Sequence, residues 1–513
     1  MEVNNFTRVG EIKRSIYLIM ISCGLLSYGN IAPAVAGGPE AHLKGEFGPL
    51  HKWPIMPIHL ALMPEGTVFA FGNKGAAKNA LYYAIWDPSI GIGSNAFEVL
   101  PNTTDTEVFC SGQALIPGTG QSLILGGSRA ILNSNTGDHA ADVNIFDPDT
   151  KSLTTQTPSM AYNRWYATVI TLPNGEHVAL GGRNTKPTSG IPATYSPTPE
   201  VRANDGSWRA LNSATSDLAY GAIGGASWHY PRAWVNPQGS IFILGNNDSM
   251  YQLQTAGTGT LLRYAKKIKG GNSNLPSVMF APGKILSVRT NLVTSIIDIN
   301  GIGEPAVSLG GNLSKYRQFG NATVLADGRV WVNGGSSTGN DVSGAALDSE
   351  LWDPKTNTWT IAASAATARL YHSTSLLLQD GTVITGGGGN PGPLRQLNGE
   401  IYYPPYLFKK DGSGQFAPRP VIIDAPTDII GWDQEFSLEG TESIAQVTLV
   451  RVGVVTHAFN NEQRFLNLPI PQPGNIVTVR SPASANIAPP GFYLLFIWNA
   501  EGVPSVAKFL HIS

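Results

Sequence analysis

The chain has 513 residues, of which 14% are charged, against about 25% in ordinary soluble domains, and its formal net charge is -2 at pH 7. Its hydrophobic content of 42% is ample for a core and excludes a disordered chain, while the absence of any basic run excludes a nucleic-acid or anionic-membrane partner. The 58 glycines and 36 prolines favour many short strands joined by tight turns.

Residues 1–36 read as an export leader. Arg8, Lys13 and Arg14 form a positive start, an apolar stretch opens at Ile16, and Ala34-Val35-Ala36 fits a small-residue cleavage site before Gly37. Gly24, Ser27, Asn30 and Pro33 break the apolar run well short of the roughly 20 residues of a membrane span. A secreted, periplasmic or cell-surface protein with no span in the mature chain is expected, with lipidation at Cys23 as the alternative. Loss of the leader leaves Cys110 as the single cysteine, an unpaired thiol in an oxidising compartment that needs burial or another bond.

From there a pattern repeats: an apolar strand, a turn containing glycine, then a second strand ending in Gly-Gly or its remnant. The copies end at Gly72, Gly126-Gly127, Gly181-Gly182, Gly245, Gly334-Gly335 and Gly386-Gly387, with a faint one near Val288, where Arg289 replaces the glycine. Seven units at a spacing near 50 residues, with Asp-Gly and Asn-Gly turns, are the signature of kelch-like propeller blades. The expected fold is therefore all-β: a seven-bladed kelch-type β-propeller over residues 37–410. After Tyr402-Tyr403-Pro404-Pro405 the pattern gives way to separate short strands such as Gln446–Arg451 and Tyr493–Trp498. A small immunoglobulin-like β-sandwich over residues 411–513 is expected there.

Tyr166, Tyr371 and Cys110 stand at similar distances ahead of the turn glycines Gly175, Gly381 and Gly118. Equal register on different blades places them on one rim near the axis, where a propeller's funnel forms its binding site. Taken alone, each is an ordinary packing residue.

Taken together, Cys110, Arg164-Trp165-Tyr166, Tyr371-His372 and Arg451 through His457 resemble the copper-radical oxidases, the galactose oxidase and glyoxal oxidase group. The segments Pro490–Phe496 and Gly502–Val506 are similar too, so the resemblance spans the propeller and the final domain. It implies one copper ion held by Tyr166, Tyr371, His372 and His457, and a thioether between Cys110 and Tyr166 that consumes the odd thiol and holds a radical. Tyr371 would be the weak axial ligand and the base for a substrate hydroxyl, and a hairpin of the last domain would deliver His457. Such a set suits tetragonal Cu(II) with an open position. Neighbours such as Tyr371 and His372 point oppositely in a regular strand, so irregular backbone is expected there.

The implied activity is O2-dependent oxidation of a small primary alcohol or aldehyde, releasing H2O2. The galactose branch has a tryptophan after its Gly-Gly doublet, where this chain has Arg183-Asn184, and Trp228-His229-Tyr230 occupies the neighbourhood of the galactose-binding arginine. Galactose is therefore discounted. Trp165, Arg164, Trp228 and Tyr230 are candidate substrate, shielding or supporting residues, and His51, His59, His139 and His177 are expected to be structural or surface. The alternative is a non-catalytic extracellular kelch-type module that binds carbohydrate or protein, since fold does not fix function.

Overall fold

The computed structural model describes residues 37–73, 82–129, 139–223, 225–460 and 462–513. The expected leader, residues 1–36 with Cys23, lies outside the described residues. Among the described residues, no helix is long and apolar enough to cross a membrane.

Each sequence repeat folds into an antiparallel sheet whose strands are neighbours in chain order, and seven such sheets precede residue 404. Their innermost strands are Met56–Leu62, Gly112–Leu115, Thr168–Thr171, Arg232–Val235, Ser277–Ala281, Asn321–Val324 and Ser373–Leu377. The innermost strand of the first sheet lies against that of the seventh, the seventh against the sixth, the sixth against the fifth, and the third against both second and fourth. The inner strands are buried, save for the partly exposed Ala281, because neighbouring sheets cover both their faces. The outer strands Thr260–Lys267 and Ala306–Asn312 are mostly exposed. Apolar side chains fill the spaces between sheets, as where Trp234 and Phe242 of the fourth meet Met279 and Ile285 of the fifth.

The Gly-Gly doublets have a steric cause. A Cβ on Gly126, at φ +77°, would stand 2.0 Å from the Arg164 carbonyl oxygen, on the loop that enters the next sheet. Only glycine lets the two backbones pass so closely.

The seventh sheet draws its outer strands from the beginning of the chain. Asn398–Tyr403 pairs with Glu46–Phe47 and with His51–Lys52, and the Tyr402 hydroxyl donates to the Lys44 carbonyl at 2.9 Å. Sequence-distant ends thereby share one sheet.

Beyond residue 420 the strands form two further sheets. One contains Ile422–Asp424, Glu435–Ile444 and Gly474–Arg480; the other contains Phe465–Leu468, Gln446–Arg451, Gly491–Trp498 and Lys508–Ile512. Leu438, Val477 and Val479 of the first share one buried cluster with Val447, Leu449, Leu495 and Leu510 of the second. Between Arg451 and Phe465 the chain leaves this region, and Val454–Thr456 pairs antiparallel with the innermost strand of the first sheet, Thr456 opposite His59. That finger brings His457 to the site described next.

Candidate functional site

The site grows from one backbone position that recurs between repeats. Cys110, Tyr166, Tyr230 and Phe319 each stand two residues before an innermost strand, and all have positive φ, at 59°, 68°, 43° and 67°. His372, immediately before its strand, has φ +66°, and His457 has φ +49° at the tip of the finger. A non-glycine residue there costs on the order of 1 kcal/mol or more, and such outliers gather at functional sites. At Tyr371-His372 the effect is direct. The positive φ turns two consecutive rings to the same side, and they stack with centroids 3.8 Å apart.

Paired charges pin these loops from behind. Arg164, Arg317 and Arg369 stand two residues before Tyr166, Phe319 and Tyr371, and each meets a glutamate of the third strand of its own sheet. The pairs are Arg164–Glu200 at 2.8 Å, Arg317–Glu350 at 2.9 Å and Arg369–Glu400 at 2.8 Å, every side chain at most 1% exposed. Arg164 also donates to the carbonyls of Gly181 and Thr198, each at 2.6 Å. Of the two roles expected of Arg164, contact with substrate or support of the residues that make it, its complete burial fits the second. A guanidinium that deep must spend its donors on a carboxylate and carbonyls, so it holds Tyr166 in place.

Besides pairing with the first sheet, the finger is fastened to three others. Gln463 bonds both the N–H and the carbonyl of Val324, Glu462 accepts from the N–H and hydroxyl of Thr171, and Arg232 donates to the Ala458 carbonyl at 3.2 Å. Glu462 also pairs with Arg451 at 2.9 Å.

These supports bring five expected residues together. The Tyr166 and Tyr371 hydroxyls are 2.5 Å apart, and Cys110 Sγ is 3.6 Å from His457 Nε2. The His372 and His457 rings meet edge to face at 4.5 Å, and the Tyr166 ring meets His457 at 5.1 Å. Cys110 packs with Tyr166 in one buried cluster that includes Tyr230 and Phe459.

The imidazoles are set up as neutral ligands. His372 Nδ1 lies 2.7 Å from the Gly389 carbonyl, which only accepts, so Nδ1 carries the proton and Nε2 keeps its lone pair. That Nε2 is buried with no hydrogen-bond partner, and burial pushes the His372 pKa down to about 4. The His457 ring bonds the Thr456 hydroxyl through Nδ1, and burial, reinforced by His372, holds it well below the usual histidine range. One ligand atom each from Cys110, His372 and His457 lie within 4.8 Å of one another, a spacing one metal ion can span. Burial pushes the Cys110 thiol and the Tyr166 and Tyr371 phenols upward, so each is protonated at neutral pH unless a cation or covalent bond takes its place.

The remaining candidates divide. Trp165 covers Tyr166 at 3.9 Å between centroids, and Trp228 lies 6.0 Å away; both are half-buried at the open side. Tyr230 is not at the open side. It lies buried under Tyr166, its hydroxyl bonded to the Ser111 carbonyl at 2.9 Å, so it packs the site from below.

Three histidines carry more than their sequence context announced. His229 lies 4.3 Å from the Tyr166 ring, with its pKa lowered by burial to about 3. His59 stacks on Phe71 and meets the His457 ring at 5.7 Å, and His139 stacks on Trp165 at 5.0 Å. None of the three has a telling neighbour in sequence; only the shared register of Trp228-His229-Tyr230 with Arg164-Trp165-Tyr166 marks His229.

Residues 419–512 match the family model described as the galactose oxidase-like early set domain. A galactose oxidase of Gibberella zeae is 28% identical across 91% of this chain and 71% of its own length. An aldehyde oxidase of Arabidopsis thaliana, GLOX1, is 24% identical across 93% of this chain and 86% of its own length. A fungal alcohol oxidase of the AA5 family, solved in complex with copper, superposes with a TM-score of 0.79 and 25% identity, covering 91% of this chain and 99% of that one. Similarity to these oxidases therefore runs through the repeated sheets and the C-terminal region alike.

Proposed function

We propose that the protein is a secreted oxidase that converts a small primary alcohol or aldehyde, with O2, to the aldehyde or acid plus H2O2. In this reading the seven sheets are the blades of a β-propeller over residues 37–410, and residues 411–513 form an immunoglobulin-like sandwich that lends its finger to the propeller's axis. The observation that carries the reading is the convergence of Tyr166, Tyr371, His372, His457 and Cys110 in one pocket, with an imidazole nitrogen left unpartnered.

The donor set fits copper: His372 and His457 through Nε2, Tyr166 and Tyr371 through their oxygens. Copper bound there supplies one-electron redox chemistry and a place for oxygen to be reduced. Removing two electrons from an alcohol needs a second one-electron centre, and the Tyr166 phenol joined to Cys110 provides it. The S–C bond forms with loss of the thiol hydrogen and one ring hydrogen to O2. Tyr371 Oη, 2.5 Å from the Tyr166 oxygen, is placed to take the proton of a substrate hydroxyl. Trp165 keeps water off the Tyr166 ring, and Tyr230 and Phe459 close the pocket beneath it.

Copper-loaded, mildly oxidised protein is expected to release H2O2 from simple alcohols or aldehydes. Its mass is expected to be lower by two hydrogens than the sequence mass, with Cys110 resistant to alkylation after unfolding. A full-mass protein with an alkylatable Cys110 and no peroxide across a broad alcohol and aldehyde panel would leave the non-catalytic binding module as the reading.

A further inference from the structure

Among the described residues, the half-buried Arg183 beside Tyr166 is a cation without a counter-charge. Of the more deeply buried arginines, Arg164, Arg317, Arg369 and Arg451 each hold a buried glutamate, Arg232 and Arg289 spread their donors over backbone carbonyls, and Arg464 donates to the Ile487 carbonyl. Among the described residues Arg183 meets no carboxylate, and its one side-chain hydrogen bond runs from Nε to His139 Nε2 at 3.0 Å. His139 is no counter-ion. It is fully buried, and burial together with the Arg183 charge pushes its pKa down to about 3, so it is neutral and accepts. Its Nδ1 has no partner among the described residues. Burial raises the Glu107 carboxyl pKa, and the cation that acts on it is Lys186.

The fold holds this guanidinium firmly at the open side. Arg183 pairs with Trp165 on one side, through backbone bonds of 3.0 and 2.8 Å, and with Tyr195 on the other. The guanidinium carbon lies 4.1 Å from the Trp165 ring and 5.6 Å from that of Trp228. The Tyr195 and Trp228 rings are themselves 5.2 Å apart. Stacking explains where the guanidinium lies but uses only its faces; among the described residues, the Nη N–H groups in its plane have no hydrogen-bond partner. A planar fork of that kind matches a carboxylate through two parallel charge-assisted hydrogen bonds.

We infer that Arg183 is a substrate-anchoring residue and that the preferred substrate is a small alcohol or aldehyde bearing a carboxylate. The inference deepens the oxidase reading above and rests on it. The guanidinium clasps the carboxylate between aromatic walls, which leaves the carbon to be oxidised on the Tyr166 and Tyr371 side of Trp165. Galactose carries no anionic group for this fork.

The test compares copper-loaded wild type with Arg183→Gln and Arg183→Lys, using glyoxylate as the carboxylate-bearing aldehyde and glycolaldehyde as the neutral one. The ratio of kcat/KM for glyoxylate over glycolaldehyde is expected to fall roughly 10- to 100-fold in Arg183→Gln, with Arg183→Lys in between. Independently of turnover, acetate is expected to change the tryptophan fluorescence of the wild type, acetamide is not, and the acetate affinity is expected to drop by a similar factor in Arg183→Gln. An unchanged ratio, or acetate binding that survives Arg183→Gln and so sits on the metal, overturns the proposal. If neither aldehyde turns over while acetate binding still depends on Arg183, the anion site stands and the oxidase reading is what fails. Near-UV circular dichroism confirms that each variant is folded.

Discussion

At the residue scale, the chemistry depends on side chains that are each costly to keep where they are. Tyr166, Cys110, His372 and His457 occupy a backbone region that L-residues avoid, and all four are buried. Tyr371→Phe keeps the ring but removes the oxygen proposed to accept the substrate's proton. It is expected to lower kcat about 10²- to 10⁴-fold while copper content, measured by atomic absorption, stays near one per chain. Tyr166→Phe and Cys110→Ser are each expected to abolish turnover and the radical absorption while the far-UV spectrum is unchanged; normal turnover in either variant would falsify the cross-linked phenol. Trp165 and Arg183 act one step further out, on what reaches Tyr166.

At the scale of elements, the recurring unit is a loop, its arginine and a glutamate two strands away. The three buried pairs, Arg164–Glu200, Arg317–Glu350 and Arg369–Glu400, tie the loop before an inner strand to the outer part of the same sheet. The pairs do not make the fold more stable than apolar residues of the same volume would, because desolvation offsets much of their attraction. Breaking one is different. Glu400→Ala strands the Arg369 charge next to Tyr371-His372 and is expected to cost about 3–5 kcal/mol in denaturant unfolding. Turnover in the folded fraction is expected to fall as well, because the loop loses its anchor. Arg369→Met with Glu400→Leu is expected to recover most of the stability without recovering full activity, which separates the pair's energy from its positioning.

At the scale of the whole molecule, the site exists only because two regions meet. The finger that carries His457 belongs to the C-terminal region and is fastened to the third, fourth and sixth sheets by Glu462, Ala458 and Gln463. His457→Ala is expected to lower copper retention under dialysis against a chelator, and Glu462→Ala, which frees the finger, is expected to do the same without removing a ligand. Unchanged copper retention in both would take the finger out of the metal site. The molecule also buries an unusual share of its nine histidines in neutral form. His59, His139, His177, His229, His372 and His457 all have pKa values lowered by burial, to about 4 for His177 and His372 and about 3 for His139 and His229. Between the ordinary value near 6.5 and those lowered values the unfolded chain binds protons that the folded chain refuses. Stability is therefore complete above about pH 6.5 and is lost progressively as pH falls toward 4. Urea midpoints are expected to drop between pH 7 and pH 5; a flat profile would mean these histidines are not held neutral.

Much of this was open to reading along the chain, because the repeat is a local device. Turn glycines, Gly-Gly doublets and alternating strands act over a few residues, so strand positions and the register of Cys110, Tyr166 and Tyr371 follow from spacing. The doublets are legible although their cause, the next loop's carbonyl pressing on Gly126, is tertiary. What one dimension could not show is which side a buried arginine faces, and Arg164 turned out to serve Glu200 in place of the pocket. Nor could it single out His59, His139 and His229, whose surroundings come from other sheets. The sequence by itself determined an all-β chain of repeated sheets and the residue types able to hold a redox metal. Only the tertiary structure decided which of them share a pocket, since that depends on packing between strands hundreds of residues apart and on a finger lent by the C-terminal region.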